Sequence, residues 1–276
     1  MAEISTTEAE DDTKWDHSSD QNFVDYYAEQ SVSPTTMQRF TLVRDRVLKH
    51  LAETRKSGKS DVLDVADIGC GTGTQARLWA TLGHRVHAID VSSALVDIGR
   101  SRAESENLMI NFDVGSATEL PYADYSMDVA LLPELLEHVA DWQSCLNEAA
   151  RILKPGGLLY ASTTNFLCPI QNEFNLPLYS WYPSALKRRY ERLAVTTRPE
   201  IANYCKYPAV NWFSYYTLAT YLEARGFECR DRFDMVDRNS LGGLGKLVIT
   251  LIRALPPLRF IGQVWTPGSV VFALRK

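Results

Sequence analysis

The sequence predicts a doubly wound α/β domain, and three observations carry that prediction. From residue 62 to residue 163, short apolar runs alternate with amphipathic stretches, the pattern of a parallel sheet covered by helices on both faces. A glycine-rich loop, Gly69 to Gly73, separates the first run from the first helical stretch. An acid, Asp90, closes the second run.

The elements follow in order. Residues 22–54 read as two amphipathic helices, the second from about 35 to 51, where Phe40, Val43, Val47 and Leu51 recur at helical spacing. Residues 62–68 form the first strand, and 74–82 the helix after the glycine loop, stopped by Gly83. The second strand is 85–90, and Ser92 or Ser93 caps a helix that runs to about Glu106. Strands follow at 109–114 and 127–132. Asp141 caps a helix through Leu153 that ends at Lys154, Pro155, Gly156 and Gly157, and 158–163 is the fifth strand. The alternation then breaks. An aromatic-rich interruption at about 164–211 precedes a helix at 215–225, ended by Gly226, and a strand at 227–235. A second interruption at about 237–266 precedes the last strand, 269–274. The expected organisation is an acidic, disordered tail over 1–20 and a single domain over 21–276.

Composition narrows the function classes. A chain of 276 residues, 45% apolar and 23% charged, can bury a sizeable core, which excludes collagen-like, mucin-like and fully disordered classes. The formal charge of −5 is uneven: residues 1–20 carry seven acids and one lysine, so residues 21–276 carry a net +1. A body so near neutrality argues against a nucleic-acid partner. The five cysteines show no CxxC pair, which fits reduced thiols in a cytoplasmic protein. The N-terminus lacks the basic and apolar regions of a secretory signal, and no apolar run reaches membrane-spanning length.

The glycine loop lets the backbone turn tightly and approach a ligand, with helix N–H groups nearby. A carboxylate at Asp90 can accept two hydrogen bonds from a ribose diol. Together they suit an adenosine-containing ligand. A dinucleotide fingerprint is the rival, but its third glycine position holds Thr74.

The chain here resembles the class I S-adenosylmethionine-dependent methyltransferases. The resemblance rests on Asp67 to Gly73, on His87-Ala88-Ile89-Asp90, and on Gly115-Ser116-Ala117-Thr118-Glu119-Leu120-Pro121. It continues through Met127-Asp128-Val129, Leu136-Glu137-His138-Val139 and Leu153-Lys154-Pro155-Gly156-Gly157. It implies a Rossmann-like, seven-stranded, mostly parallel sheet with the last strand antiparallel, and S-adenosyl-L-methionine as cofactor. By the same resemblance Gly69, Gly71 and Gly73 face the methionine part, Asp67 lies near its amino group, Asp90 holds the ribose hydroxyls, Ser116 and Ala117 edge the adenine, and Cys70 and Val91 also belong to the cofactor site. Ser116 stands where the family often has Asp, a weaker acceptor for the adenine amine.

Methyl transfer to a hydroxyl needs a positioned nucleophile and a base. Glu134 and His138 are the catalytic candidates. If helical, Glu134, Glu137 and His138 share one face and could hold magnesium or manganese. The stretch matches most closely the ubiquinone-biosynthesis O-methyltransferases. The competing reading makes Leu-Glu-His-Val a general superfamily feature with a structural histidine.

The two interruptions are the expected substrate elements. Residues 166–216 hold 12 aromatics, including Tyr179, Trp181, Tyr182, Tyr204, Tyr207 and Trp212, interleaved with Lys187, Arg188, Arg189, Arg192, Arg198 and Lys206. Tyr179, Trp181, Tyr182 and Trp212 are expected to contact an amphipathic or anionic small or lipid-like substrate. A small lid with its own aromatic core is the alternative. In the second interruption Leu244, Leu247, Val248, Leu251, Ile252 and Leu255 form an apolar helical stripe that Pro256-Pro257 ends. Burial on the sheet or in a homodimer face is expected, with peripheral membrane contact through 244–265 as the rival. The reading is a methyltransferase acting on a hydroxyl of a quinone precursor, polyketide or glycolipid sugar. Its rivals are an N-methyltransferase and a non-catalytic, membrane-docking scaffold.

Overall fold

The structure, a computed structural model, describes residues 21–54, 62–171, 173–202 and 209–276. The acidic tail and Tyr204, Cys205, Lys206 and Tyr207 lie outside the described residues.

Two helices, α1 (Gln21–Gln30) and α2 (Pro34–Thr54), precede the sheet. Then β1 (Asp64–Ile68), α3 (Thr74–Ala80), β2 (Arg85–Asp90), α4 (Ser93–Ser105) and β3 (Ile110–Val114) alternate, followed by β4 (Met127–Pro133), α5 (Trp142–Ile152) and β5 (Leu153–Thr164). The rest comprises α6 (Ser184–Thr196), α7 (Tyr215–Glu223), β6 (Phe227–Arg230), α8 (Gly243–Ala254), α9 (Pro256–Val264) and β7 (Gly268–Arg275). The seven strands form one sheet in the order β3-β2-β1-β4-β5-β7-β6. The pairs among β1 to β5 are parallel, and β7 runs antiparallel to both β5 and β6, as expected.

Strand periodicity divides the core in two, since successive side chains point to opposite faces. Ala66, Ile68, Ala130, Leu132, Leu159 and Ala161 face α5 and α7. Val65, Val129, Leu131, Leu158 and Tyr160 face α2 and α3. The caps fall where side-chain chemistry puts them: the Ser92 hydroxyl accepts from the Leu95 N–H and the Asp141 carboxylate from the Ser144 N–H.

Two strand boundaries differ from the sequence expectation. The fifth strand begins at Leu153, because Pro155-Gly156-Gly157 forms a bulge within β5 instead of a loop before it. Met127 pairs with Leu153 but Val129 with Leu158, and a Cβ on Gly157 would lie 2.8 Å from the Lys154 carbonyl oxygen. The sixth strand ends at Arg230 because the Asp231 carboxylate folds the next turn, accepting from the Phe233 and Asp234 N–H groups.

Lys154 explains another part of the resemblance. Its ammonium bridges Asp64 at 2.7 Å and Asp128 at 2.9 Å, so these residues clamp the N-terminal ends of β1 and β4. Their role is structural, at the edge of the sheet opposite the glycine loop.

Candidate functional site

The C-terminal ends of β1, β2 and β4 converge on the glycine loop. The Gly69 and Cys70 N–H groups both donate to the Ile89 carbonyl, folding the loop back on β2. Gly69, Gly71 and Gly73 have φ of +73°, +51° and +70°, a region that L side chains rarely adopt. A Cβ on Gly73 would strike the Phe112 ring at 2.8 Å, whereas one on Gly71 would meet nothing within 4 Å. Gly73 therefore serves packing, and Gly71 faces open space.

Asp90 accepts from the Gly71 N–H at 2.7 Å through one oxygen and from the Ser92 N–H at 2.9 Å through the other. Its carboxylate is thus fixed beside the loop. Val91 is half-buried beside it. Asp67 is fully buried; one oxygen accepts from the Ala76 N–H at 3.0 Å and Oδ1 has no partner. Burial pushes its carboxyl up to about 7, with nearby Asp90 adding to the effect. Burial likewise raises the Cys70 thiol, so Cys70 packs as a neutral thiol. The Gly115 N–H donates to the Asp90 carbonyl, which brings Ser116 and half-buried Ala117 to the same edge. The Ser116 hydroxyl oxygen accepts from the Thr118 N–H and pairs with its hydroxyl at 2.7 Å, so it first of all shapes the turn.

The segment after β4 meets this loop directly. Leu135 fills the space over Gly69, 2.8 Å from where a Cβ would stand. Here the helical expectation fails. Residues 134–138 form turns, with Glu134 at φ +53° and the His138 N–H donating to the Leu135 carbonyl. Glu134, Glu137 and His138 consequently do not share a helix face, and no group of three metal-ligating side chains is arranged among the described residues. Glu134 is exposed and ion-paired with Arg39 of α2, while half-buried His138 stays on the turn. Glu137 is buried, its Oε2 lacks a partner, and burial pushes its carboxyl up to about 8.

Sequence reasoning missed Glu173. It lies in the first interruption, where burial and the neighbouring Glu134 push its carboxyl up to about 7. Glu173 and Glu134 both add to the elevation of Glu137, so three carboxylates crowd the mouth of the site. A lone acid among aromatics and arginines carries no spacing signal; only the fold brings it to β4.

The aromatic wall needs correction. Tyr179, expected to touch substrate, is fully buried and stacks on Phe174 at 3.9 Å, within a small core that includes Ala194 and Ala202. Tyr182 and Trp212 pack against that core, and Lys187 lies 4.4 Å from the Trp212 ring. The segment is a lid with its own core because stacked aromatics bury most of their area against one another. Trp181 remains exposed and donates its indole N–H to the Leu167 carbonyl. Asn211 ties the lid to the site, donating to the Leu136 and Val139 carbonyls. A cavity of about 720 Å³ beside β2 and β3, lined by Asp64, His87, Asp113 and Tyr122 among others, includes no residue of the glycine loop.

Residues 66–161 match the family described as "Methyltransferase domain". The match spans 96 of the 276 residues. It contains the glycine loop, Asp90, the Ser116 turn and the Glu134–His138 segment, and it excludes both interruptions. The chain is 33% identical over 128 residues to a ubiquinone biosynthesis O-methyltransferase of Sinorhizobium medicae, covering 46% of this chain and 52% of that one. It is 37% identical over 101 residues to one from Coxiella burnetii, covering 37% and 43%. The chain spans about half the length of the curated relatives it matches. A Pyrococcus horikoshii protein superposes with a TM-score of 0.55 at 15% identity, covering 91% of this chain and 99% of that one. A SAM-dependent methyltransferase of Aquifex aeolicus gives 0.52 at 16%, covering 91% and 98%. These likenesses show a Rossmann-like fold.

Proposed function

We propose that the protein transfers a methyl group from S-adenosylmethionine to a hydroxyl oxygen of a small or lipid-like acceptor. The observation that carries this is the partnerless Oδ1 of Asp67 in β1, with open space at Gly71 in the loop that follows and raised carboxyl groups after β4. A buried carboxylate without a partner is costly, and a ligand ammonium would relieve it. The open space at Gly71 allows a ligand to lie against bare backbone, and Asp90 is placed for a vicinal diol. The residues therefore fit an adenosine-linked amino acid.

When bound, the sulfonium supplies an electrophilic methyl group. Asp67 and Asp90 fix the two ends of the ligand, and Leu135 and the lid exclude water from the reacting centre. A carboxylate of this chain would take the proton that the acceptor hydroxyl gives up on methylation. Glu173, held near 7, is matched to that task, because a base works best with a pKa near the working pH. Glu137, held near 8, is predominantly protonated at neutrality and acts as a hydrogen-bond donor to the acceptor. His138 and Glu134 belong to the same segment. Glu134 acts indirectly here, since its charge raises Glu173.

Transfer of labelled methyl from S-adenosylmethionine into solvent-extractable hydroxylated compounds tests the reading. Failure of transfer together with failure of S-adenosylmethionine to bind in calorimetry overturns it. His138→Ala and Glu173→Gln separate the two base candidates: Glu173→Gln lowers kcat/KM by roughly a hundredfold or more, while His138→Ala leaves the pH profile in place.

A further inference from the structure

The helices α8 and α9 are amphipathic the wrong way round. A helix on a globular protein normally turns its apolar stripe to the core and its charges to water. Here Leu244, Leu247, Val248, Leu251 and Leu255 of the α8 stripe point outward, Leu244 with 77% of its surface exposed. On α9 the exposed set is Leu258, Phe260, Ile261 and, just past its end, Trp265 at 68%.

Apart from buried Ile249 of α8, the inward contacts are largely polar. Arg253 donates to the carbonyls of Phe233 at 2.9 Å, Asp234 at 2.9 Å and Val236 at 2.8 Å. Arg259 pairs with Asp231 and Asp234, and Gln263 donates to Asp231 at 2.7 Å. Asp231 is itself fully buried and also accepts two backbone N–H groups, so the network locks both helices with their apolar sides out.

We infer that the outward face of α8 and α9 docks on an anionic lipid bilayer. Charge selects this occupant. Residues 238–276 contain no acid, and of their six bases Arg238, in the turn before α8, and Lys246, on its first turn, are exposed beside the apolar face. A second copy docked on the same face would set these cations against one another, whereas anionic headgroups supply the opposite charge. Shape agrees. The two helices bend by 107°, so they lie in the interface as two short arms, and neither is long enough to cross the membrane. An exposed Trp at one end of such a surface suits the headgroup boundary.

The face also neighbours the candidate site. Asn165, immediately after β5, donates to the Gln263 carbonyl at 2.8 Å and the Thr266 carbonyl at 2.7 Å, which ties the end of α9 to the sheet edge bearing the site. The inference does not rest on the proposed reaction, because lipid binding is read without acceptor or methyl donor.

The test is flotation of the full chain on vesicles of phosphatidylcholine alone and of an equal mixture with phosphatidylglycerol. Wild type floats with the mixed vesicles, floats less in high salt, and stays largely unbound with phosphatidylcholine alone. Leu247→Glu combined with Ile261→Glu lowers the bound-to-free ratio by roughly tenfold or more, with near-UV circular dichroism unchanged. If that variant misfolds, the milder Leu247→Ser with Ile261→Ser is compared in its place. Wild type failing to float on mixed vesicles overturns the inference, as does folded variant that floats equally well. So does a concentration-dependent dimer in sedimentation that the variants abolish while flotation is absent; the face would then belong to a second copy.

Discussion

Asp67, Asp90, Glu137 and Glu173 show how much of a site depends on where a carboxylate is put. Asp90 carries two backbone hydrogen bonds and is oriented before any ligand arrives. Asp90→Ala is expected to weaken S-adenosylhomocysteine binding roughly 10- to 100-fold by calorimetry, the loss of hydrogen bonds to a charged group. Glu173 gives a pH signature: with its carboxyl at about 7, kcat/KM rises through neutrality as the base ionises, and that limb disappears in Glu173→Gln. Asp67 and Asp90 were legible in the sequence because each ends a strand flanking a glycine loop. Glu173 was not, because its proximity to Glu134 and Glu137 is created by the lid folding over β4.

Element boundaries were read best where a side chain caps a helix. Ser92→Ala removes the oxygen that accepts from the Leu95 N–H and is expected to cost about 1 kcal/mol in urea unfolding. Boundaries were read worst where glycine and proline have two uses. Pro155-Gly156-Gly157 reads as a loop, yet forms a bulge inside β5. Pro256-Pro257 reads as a helix stop, yet Pro256 also starts α9, because proline lacks only an N–H that a first turn leaves unpaired anyway. The Glu134 segment misled differently. Its i, i+3, i+4 spacing suits a helix, but Glu134 takes positive φ and the segment turns beneath Leu135. The stripe of α8 was correctly placed and helical, while its direction depended on Arg253 finding three carbonyls on the body.

At the scale of the molecule, the two edges of the sheet have opposite demands. At the N-terminal edge Lys154 joins Asp64 and Asp128, and Asp64, also paired with Arg85, is held down to about 2. Lys154→Met leaves Asp128 without its cation and is expected to cost about 1–3 kcal/mol of stability by chemical denaturation. At the C-terminal edge Asp67 and Glu137 are pushed up to about 7 and about 8. Their unfolded values lie near ~4, so the native state keeps its protons longer. Their contribution is fully present below that unfolded value and is lost as pH rises through the folded values. The unfolding midpoint is therefore expected to fall as pH rises from ~4 to ~8, and Glu137→Gln reduces that drop.

The sequence by itself determined the doubly wound sheet, the ligand loop and the acid at the second strand. These are local features: apolar periodicity, positive-φ glycines and strand-end carboxylates each act within a few residues. Only the tertiary structure decided which aromatics form the core of the lid, which acid comes close to Glu134 and Glu137, and which way the α8 stripe faces. Those outcomes depend on partners far along the chain, such as Asn211 on Leu136 and Gln263 on Asp231. A stripe of leucines specifies an amphipathic helix, but the buried polar network beneath it specifies the side that meets the surroundings.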